Sequence, residues 1–192
     1  LIIEAGREEY SDESQESYAA KIIGDQITDL RYSRLRQLGG TSGHWGGWCK
    51  PIEQWNLEKW GIGYNSFSKF RDQTCKILEI ENNFQQTKIS SFYSQIQFQY
   101  SKVRFADKYK NRLSSSKYIH LLLDAQVTHL SGENKKFKSI SVSQKNENIM
   151  LKSNFFILCA GGIENSRILL WSKEKDSSLI NNDLPIGKYW IT

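Results

Sequence analysis

The sequence predicts a mixed α/β domain, and three observations support this prediction. Residues 1–4 are apolar and branched up to Glu4 and then meet Ala5–Gly6, as a buried parallel strand ending in a turn does. From residue 118 the pattern changes to short strands separated by turn residues. Residues 154–159 form a second apolar run that leads directly into a Gly-rich turn and a helical pattern. Strands, turns and helices in this order indicate an α/β architecture.

Hydrophobic periodicity predicts the remaining elements. Apolar residues fall at helical intervals over residues 65–80 and lie four apart over residues 105–113. Residues 82–100 are rich in Gln, Asn and Ser, so residues 82–117 as a whole are expected to form an irregular and helical excursion. We expect a loop with a short helical piece over 7–30, helices over about 65–80, 102–114 and 163–171, strands over 118–123, 126–130, 137–143, 149–151 and 154–159, and a turn over 131–134.

Composition and charge exclude several classes of protein. The chain has 192 residues, of which 39% are hydrophobic and 12% aromatic, so it can bury a sizeable core and is not a disordered tail. Its 26 basic and 21 acidic residues leave a net charge of +5. These charges are interleaved rather than clustered, so we expect no nucleic-acid partner. No apolar run approaches the roughly 18 residues that a membrane span needs.

The first residue and the cysteines bear on the origin of the chain. It opens with Leu1, while its one methionine is Met150, so we expect a processed chain or a fragment that is incomplete at its front end. Cys49, Cys75 and Cys159 are an odd number at wide spacing, which favours reduced thiols over a disulfide framework. Reduced thiols and the lack of a visible signal peptide favour the cytoplasm, although the compartment stays open.

Glu4 is the first residue whose position indicates chemistry. In a dinucleotide-binding fold an acidic residue ends the second strand, where its carboxylate accepts hydrogen bonds from ribose hydroxyls. The matching glycine fingerprint lies about 20 residues earlier, which here falls before residue 1 and agrees with a fragment. The structural alternative is an ordinary glutamate at the end of a strand.

Residues 39–47 form the second candidate segment, with five of the thirteen glycines in nine positions. Paired glycines followed by Thr41 and Ser42 can direct backbone N–H groups and hydroxyls at a phosphate. His44 and Trp45 follow directly and could meet a flat aromatic ring. The alternative is a Gly-rich turn over a packed aromatic cluster.

The third segment joins the apolar run 154–159 to Ala160, Gly161 and the helix that follows. A strand that ends in small residues places a helix N-terminus, without bulky side chains, beside whatever lies at the carboxyl end of the strand. Close packing of the strand on the helix would need glycine as well, so both interpretations remain open for this segment alone.

Taken together, these segments resemble the glucose–methanol–choline oxidoreductase family, whose members bind FAD in a Rossmann-type domain. In that family the Glu of a strand ending in Glu-Ala-Gly binds the adenosine ribose, and a Gly-Gly-Thr-Ser stretch contacts the pyrophosphate and flavin. Residues 123–130 resemble the strand whose valine backbone meets the adenine, and residues 182–189 resemble a Gly-Lys-aromatic segment near the end of the FAD half. The resemblance implies cofactor contacts at Glu4, Gly39, Gly40, Thr41, Ser42, His44, Trp45, Val127, Ala160 and Gly161.

The resemblance also implies a fold and an activity. We expect residues 1–192 to form a partial Rossmann-type FAD-binding domain with a small additional β-sheet, truncated at both ends and lacking the substrate domain. The complete enzyme would oxidise a small alcohol or a sugar by hydride transfer to the flavin and pass the electrons to an acceptor that the sequence does not identify. The family's catalytic base lies near the carboxyl end of the full enzyme, and neither His120 nor His129 matches its motif. We therefore assign no catalytic residue and no metal ligand to this chain, and expect the fragment alone to be inactive.

His44 raises the question of covalent attachment. Some sugar-oxidising members, pyranose-oxidising enzymes among them, carry Ser-x-His-Trp here, and the histidine bonds covalently to the flavin methyl group. Residues 42–45 resemble that pattern, whereas other members have Ile-Asn at the positions of His44 and Trp45. Both a covalent and a noncovalent FAD stay open.

Two other functions remain as alternatives. An aromatic-rich carbohydrate-binding or interaction module could use Trp45, Trp48, Trp55 and Trp60 to stack on sugar rings. A non-functional gene remnant is the other alternative.

Overall fold

The computed structural model describes residues 1–24 and 29–188 and has a mixed α/β architecture. Residues 25–28 of the predicted loop and Tyr189 of the family-like C-terminal segment lie outside the described residues. The elements in chain order are β1 (Ile2–Ile3), α1 (Asp12–Glu16), α2 (Leu30–Ser33), β2 (Trp48–Cys49), α3 (Gln54–Lys59), α4 (Tyr64–Ser68), α5 (Arg71–Leu78), β3 (Gln86–Lys88), β4 (Ser94–Ile96), β5 (Gln99–Tyr100), α6 (Phe105–Ser114), β6 (Leu121–Leu122), β7 (Ala125–Glu133), β8 (Lys136–Gln144), β9 (Glu147–Lys152) and α7 (Gly161–Lys175).

The chain divides into two compact units, Leu1–Leu38 with Leu113–Thr192, and Gly39–Arg112. In the first unit β1 pairs in parallel with β6, and β7, β8 and β9 form an antiparallel sheet. In the second unit β2 pairs with β5 and β3 with β4, both antiparallel, and a 3₁₀ helix spans Gly40–Gly43. No helix in the described ranges has the length and apolar character that crossing a membrane requires.

Two tight turns close the three-stranded sheet. Asn134 and Lys135 join β7 to β8 with φ angles of 51° and 58°, and Lys145 and Asn146 join β8 to β9 with 49° and 65°. Positive φ at both central residues gives the backbone twist that matches twisted strands, and asparagine tolerates it well. The predicted turn over 131–134 is therefore wrong by about two residues, because β7 continues through Glu133.

The core of the first unit lies between α7 and one face of this sheet. Its buried apolar residues come from β7, β8 and α7, namely Ala125, Leu130, Ile140, Val142 and Ile168. Strand residues two apart point to the same face, so Leu130 and its cross-strand partner Ile140 both face α7. The adjacent residues of both strands point away from α7 and are polar. This alternation is what fixes the register of β7 on β8.

Ser172 connects the helix to the sheet by hydrogen bonds. Its hydroxyl is fully buried, accepts from the Leu130 backbone N–H at 2.8 Å and donates to the Ile168 carbonyl at 2.6 Å. A buried N–H without a partner costs about as much as a lost hydrogen bond. Ser172 therefore satisfies a strand donor that water cannot reach.

Several predicted elements are confirmed. The helix expected over about 102–114 is α6, and the helix expected over 163–171 is α7, which is longer at both ends. The strands expected at 126–130, 137–143 and 149–151 are β7, β8 and β9.

The buried strand predicted over 154–159 is wrong. Within the described part of the chain no strand pairs with this segment, and Phe155 and Ile157 are 87% and 85% exposed. Phe156 and Leu158, on the other side of the run, do pack against the core of the first unit. One side of the apolar run therefore contacts the core. A strand also needs a neighbouring strand to hydrogen-bond with, and apolar residues alone do not provide one.

Other boundaries also differ from the prediction. The helix expected over 65–80 is divided into α4 and α5, and Phe67 and Phe70 remain about half exposed. The excursion over 82–100 contains three short strands, whose pairing uses backbone groups and needs no apolar pattern. Only Leu121–Leu122 of the strand expected over 118–123 pairs, and Leu1 is 65% exposed where a buried strand was expected.

Replacing Ser172 with alanine should destabilise the first unit. The substitution leaves the buried Leu130 N–H without an acceptor, which costs about 1–3 kcal/mol. The free energy of unfolding in urea measures the effect, with Ser166→Ala, at a part-exposed position of the same helix, as the control. Equal stability of the two variants would show that the Ser172 bond contributes little.

Candidate functional site

Glu4 lies at the carboxyl end of β1, where the chain turns towards Gly6. Its Oε1 accepts a 2.7 Å hydrogen bond from the Gly6 N–H. Burial raises the pKa of the Glu4 carboxyl, and the opposing effects of the Gly6 and Ala5 N–H groups and of the Arg36 charge are smaller. A carboxylate has about four acceptor positions, so Glu4 can accept from a further donor such as a sugar hydroxyl.

Gly6 is required because another segment approaches its backbone closely. A Cβ at this position would lie 2.2 Å from the Arg36 carbonyl oxygen and 2.5 Å from the Gln37 nitrogen. Arg7 and Gln37 form a parallel bridge here, and Leu38 donates to the Arg7 carbonyl. The glycine of the Glu-Ala-Gly sequence therefore has a packing role beside Glu4.

The buried side chain of Gln15 holds this adjacent segment in place. Its amide nitrogen donates to the carbonyls of Arg31 and Arg34, and its oxygen accepts from the Arg36 N–H. Gln15 is only 4% exposed, so these bonds satisfy backbone groups that lie away from water. The role of Gln15 could not be predicted from the sequence, because one glutamine in an acidic loop carries no recognisable motif.

A partly buried ionic network lies in the same unit at the start of α7. Glu164 pairs with Arg34 at 3.2 Å and with Arg167 at 2.6 Å, and the Arg34 and Glu164 side chains are only about 15% exposed. Arg34 lies 4.0 Å from the centre of the Tyr18 ring, and Arg167 donates to the Val127 carbonyl. Burial raises the pKa of Tyr18, which the charges of Glu164 and Glu4 reinforce and those of Arg34 and Arg36 oppose.

This network was missed by sequence reasoning. A signal was present, since Glu164 and Arg167 are three residues apart on one helix, but their partner Arg34 is far away in sequence. The network also occupies the Val127 carbonyl, one of the backbone groups for which an adenine contact is predicted.

Asn165 closes the turn that carries Ala160 and Gly161. Its side-chain oxygen accepts from the Ala160 N–H at 3.0 Å, and its nitrogen donates to the Leu158 carbonyl at 3.2 Å. Gly161 has φ 83°, and apart from its chain neighbours and its own helix backbone, no atom of the described residues lies within 4 Å of the position that a Cβ would take. The first turn of α7 therefore begins beside open space, in a backbone conformation that favours glycine.

In the second unit the Gly-rich loop forms a 3₁₀ turn that leads to His44. Gly39 and Gly40 have φ angles of 82° and 55°. A Cβ on Gly39 would lie 2.6 Å from the Ala106 nitrogen, whereas the space around Gly40 is open. The close approach of α6 explains why residue 39 is glycine. Gly40 has no such neighbour, so its backbone groups remain accessible to a ligand.

Ser42 has a structural role within this loop. Its hydroxyl donates to the Gly39 carbonyl at 2.7 Å and accepts from the Phe105 N–H, the first residue of α6, at 3.1 Å. A serine hydroxyl has one proton, so Ser42 cannot donate to a phosphate while the bond to Gly39 persists. Ser42 instead provides the acceptor that an N-terminal helix N–H needs.

Trp45 is also held within the second unit, while His44 is exposed. The Trp45 indole N–H donates to the Val103 carbonyl at 2.9 Å, and its ring lies 6.3 Å from that of Phe105. The His44 backbone N–H bonds to the Thr41 carbonyl, and the His44 side chain faces solvent. Of these two aromatic residues, His44 is the one with an accessible ring.

The ten predicted residues are distributed over the two units. Glu4, Val127, Ala160 and Gly161 lie in the first unit and Gly39, Gly40, Thr41, Ser42, His44 and Trp45 in the second. Two cavities of about 840 and 380 Å³ lie at one end of the three-stranded sheet and are lined by none of these ten residues. The cavity residues include Ser131, Ser139, Lys138 and Lys152.

No known protein-family model matches this chain, and none of the curated proteins is significantly similar to it. The resemblance described above therefore depends on the order and content of its motifs.

Stability should depend on pH through Glu4. Because burial raises the pKa of Glu4 in the folded protein, the folded state binds more protons than the unfolded state between the ordinary and the raised pKa. Stability relative to Glu4→Gln should therefore fall as pH rises through this window. Urea unfolding at several pH values measures the difference, with the exposed Glu9→Gln as control. A constant difference between wild type and Glu4→Gln would contradict the burial effect.

Proposed function

We propose that this chain is part of the FAD-binding half of an oxidoreductase that oxidises alcohol groups, sugars among them. The observation that carries the proposal is Glu4, a carboxylate at the carboxyl end of a parallel strand, followed by a turn that needs glycine. This is where a dinucleotide-binding sheet places the acid that binds a ribose. The Gly-rich segments at 39–47 and 160–162 follow in the order that the resembling family has.

The residues of each unit are compatible with parts of a dinucleotide. In the first unit Glu4 has acceptor capacity for ribose hydroxyls, and Gly161 leaves open space at the first turn of α7. In the second unit Gly40 leaves its backbone accessible, and the His44 ring is exposed. Ser42 and Trp45 use their polar groups within the protein, so we assign them to shaping the loop rather than to donating hydrogen bonds to FAD.

In this proposal FAD supplies the acceptor for the hydride that leaves the alcohol carbon. Glu4 would orient the adenosine end by accepting hydrogen bonds from the ribose hydroxyls, and its negative charge would disfavour a 2′-phosphate. The network of Arg34, Glu164 and Arg167 would hold the Val127 carbonyl and the first turn of α7 in position. His44 would face the flavin ring, either bonded to it or as a noncovalent neighbour.

The first experiment is an intact-mass measurement on the protein isolated from its source under denaturing conditions, together with its visible absorbance. We expect flavin absorbance in the native protein. A mass excess of one FAD on the peptide that holds His44 would establish covalent attachment, and flavin released on denaturation would establish a noncovalent cofactor. The proposal would be contradicted if the protein isolated from its source contained no flavin and did not bind added FAD.

Replacing Glu4 with alanine should weaken FAD binding. Hydrogen bonds to a charged group contribute about 1.5–3 kcal/mol, which corresponds to about 10- to 100-fold in the dissociation constant. Flavin fluorescence titration of the flavin-depleted protein measures the change, and Glu9→Ala is the matched control on the same segment. Equal FAD affinity of wild type and Glu4→Ala would remove Glu4 from the cofactor site.

A specific observation also favours a second candidate function, sugar binding by exposed aromatic rings. Trp48 on β2 and Tyr100 on β5 face each other across the strand pair, with ring centres 5.5 Å apart and exposures of 68% and 48%. Trp55 and Trp60 are exposed as well, whereas Trp45 is engaged with Val103. Flat exposed rings offer large contact area at low conformational cost.

If sugars bind here, Trp48→Ala should remove the binding. Titration of the protein with a soluble oligosaccharide, followed by tryptophan fluorescence, tests this. Trp60→Ala, an equally exposed tryptophan without an aromatic neighbour on a paired strand, is the control. Identical titrations for both variants would contradict a site at Trp48 and Tyr100.

A further inference from the structure

His129 and Ser141 lie opposite each other on the face of the three-stranded sheet that points away from α7. They form a cross-strand pair between β7 and β8, next to the buried pair of Leu130 and Ile140. Because successive strand residues point to opposite faces, the buried pair faces the core and the polar pair faces outwards. Both His129 and Ser141 are partly exposed.

A chain of three hydrogen bonds joins these residues to Thr128. The Thr128 Oγ1 lies 3.0 Å from His129 Nδ1 and 3.1 Å from the Ser141 carbonyl oxygen, and the Ser141 Oγ lies 3.3 Å from His129 Nε2. A carbonyl only accepts, so Thr128 donates its one proton to it and accepts from Nδ1–H. In the neutral imidazole this leaves Nε2 as the acceptor for the Ser141 hydroxyl proton.

A β-bulge brings Thr128 and His129 together. The register shifts between Val127 and His129, so Thr128 is the extra residue on β7. In a regular strand adjacent side chains point to opposite faces and would not touch. Bulges redirect side chains, and here the bulge lets the Thr128 hydroxyl hold the ring of its neighbour in one tautomer.

We propose that Ser141 is a nucleophile for acyl transfer, with His129 as its general base and Thr128 as the residue that orients the imidazole. The Ser141 Oγ would bond to the carbonyl carbon of an ester while its proton passes to His129 Nε2. The bond between that carbon and the leaving oxygen then breaks, and the proton returns from His129 to the leaving alcohol. Water repeats the sequence on the acyl-serine, which releases the acid and restores Ser141.

The neighbouring groups favour short esters whose acyl chain carries a carboxylate. Met150 is the cross-strand neighbour of Ser141 on β9 and is 63% exposed, which provides apolar contact. The next pair on the same face of these two strands is Ser139 and Lys152, and both line the cavity of about 840 Å³. Lys138 lines that cavity as well, so two lysines border it. At 3.3 Å per strand residue, the Ser139–Lys152 pair lies about 7 Å and Lys138 about 10 Å further along the sheet than Ser141.

The test is the reaction of the 192-residue chain with 4-nitrophenyl acetate and with the mono-4-nitrophenyl ester of succinic acid. We expect nitrophenol release with an acyl group on Ser141, identified by peptide mass, and faster reaction of the succinyl ester. General-base assistance contributes about 10²- to 10⁴-fold, so His129→Gln and Ser141→Ala should each lose at least about 100-fold. Ser143→Ala, two residues along the same strand face, should react like wild type.

Two further measurements separate this role from a structural one. Transfer of the Ser141 proton to His129 in the transition state predicts a solvent deuterium isotope effect on the acylation rate, which His129→Gln should lose, while urea unfolding reports whether each variant is folded. Acylation spread over lysines, labelling of Ser143, or equal rates for wild type and a folded Ser141→Ala would overturn the proposal. Since no flavin takes part, the outcome is independent of the FAD proposal.

Discussion

The packing of α7 against one face of the β7–β8–β9 sheet is the interaction on which the first unit depends. Five buried apolar residues form the core of that contact, and the Ser172 hydroxyl joins the helix to a buried strand N–H. Because hydrophobic burial is non-directional, it holds the layers together without specifying their alignment. The directional bonds of Ser172 add that alignment for the helix that begins at Gly161, one of the residues predicted to contact a dinucleotide.

The same packing determines which side chains remain available for chemistry. Once Leu130 and Ile140 face the helix, strand alternation places His129 and Ser141 on the outer face. At the start of α7, Glu164 is fixed by two arginines, and one of them holds the Val127 carbonyl. The packing of this small core thus positions two polar regions, the outer face with His129 and Ser141 and the network around Glu164.

In the second unit, residues that resemble cofactor contacts also hold the loop together. Ser42 caps α6 by accepting from Phe105, and Trp45 donates to Val103. The first bond satisfies a backbone N–H at the start of a helix, where no intrahelical acceptor is available, and the second satisfies a carbonyl just before that helix. A Gly-rich loop with positive φ at Gly39, Gly40 and Gly47 needs such anchors, because glycine adds no side-chain contacts of its own. A hydroxyl or indole in such a loop therefore does not by itself identify a ligand contact.

The sequence by itself determined the mixed α/β class, the three strands of the main sheet and the helices α6 and α7, because their periodicity is local and strong. It also identified Glu4 and the glycines at 39, 40 and 161 as unusual positions, and the structure shows the backbone conformations that the three glycines need. Only the tertiary structure decided that residues 154–159 stay outside a ladder, since pairing depends on a neighbouring strand and not on apolar content. Three further features could not be predicted from the sequence either: the network of Arg34 and Glu164, the Ser42 cap of α6, and the hydrogen-bonded chain of Ser141, His129 and Thr128. Each of them joins residues that are far apart in the chain or depends on a one-residue bulge. Neither long-range contacts nor bulges produce a periodic pattern in the sequence.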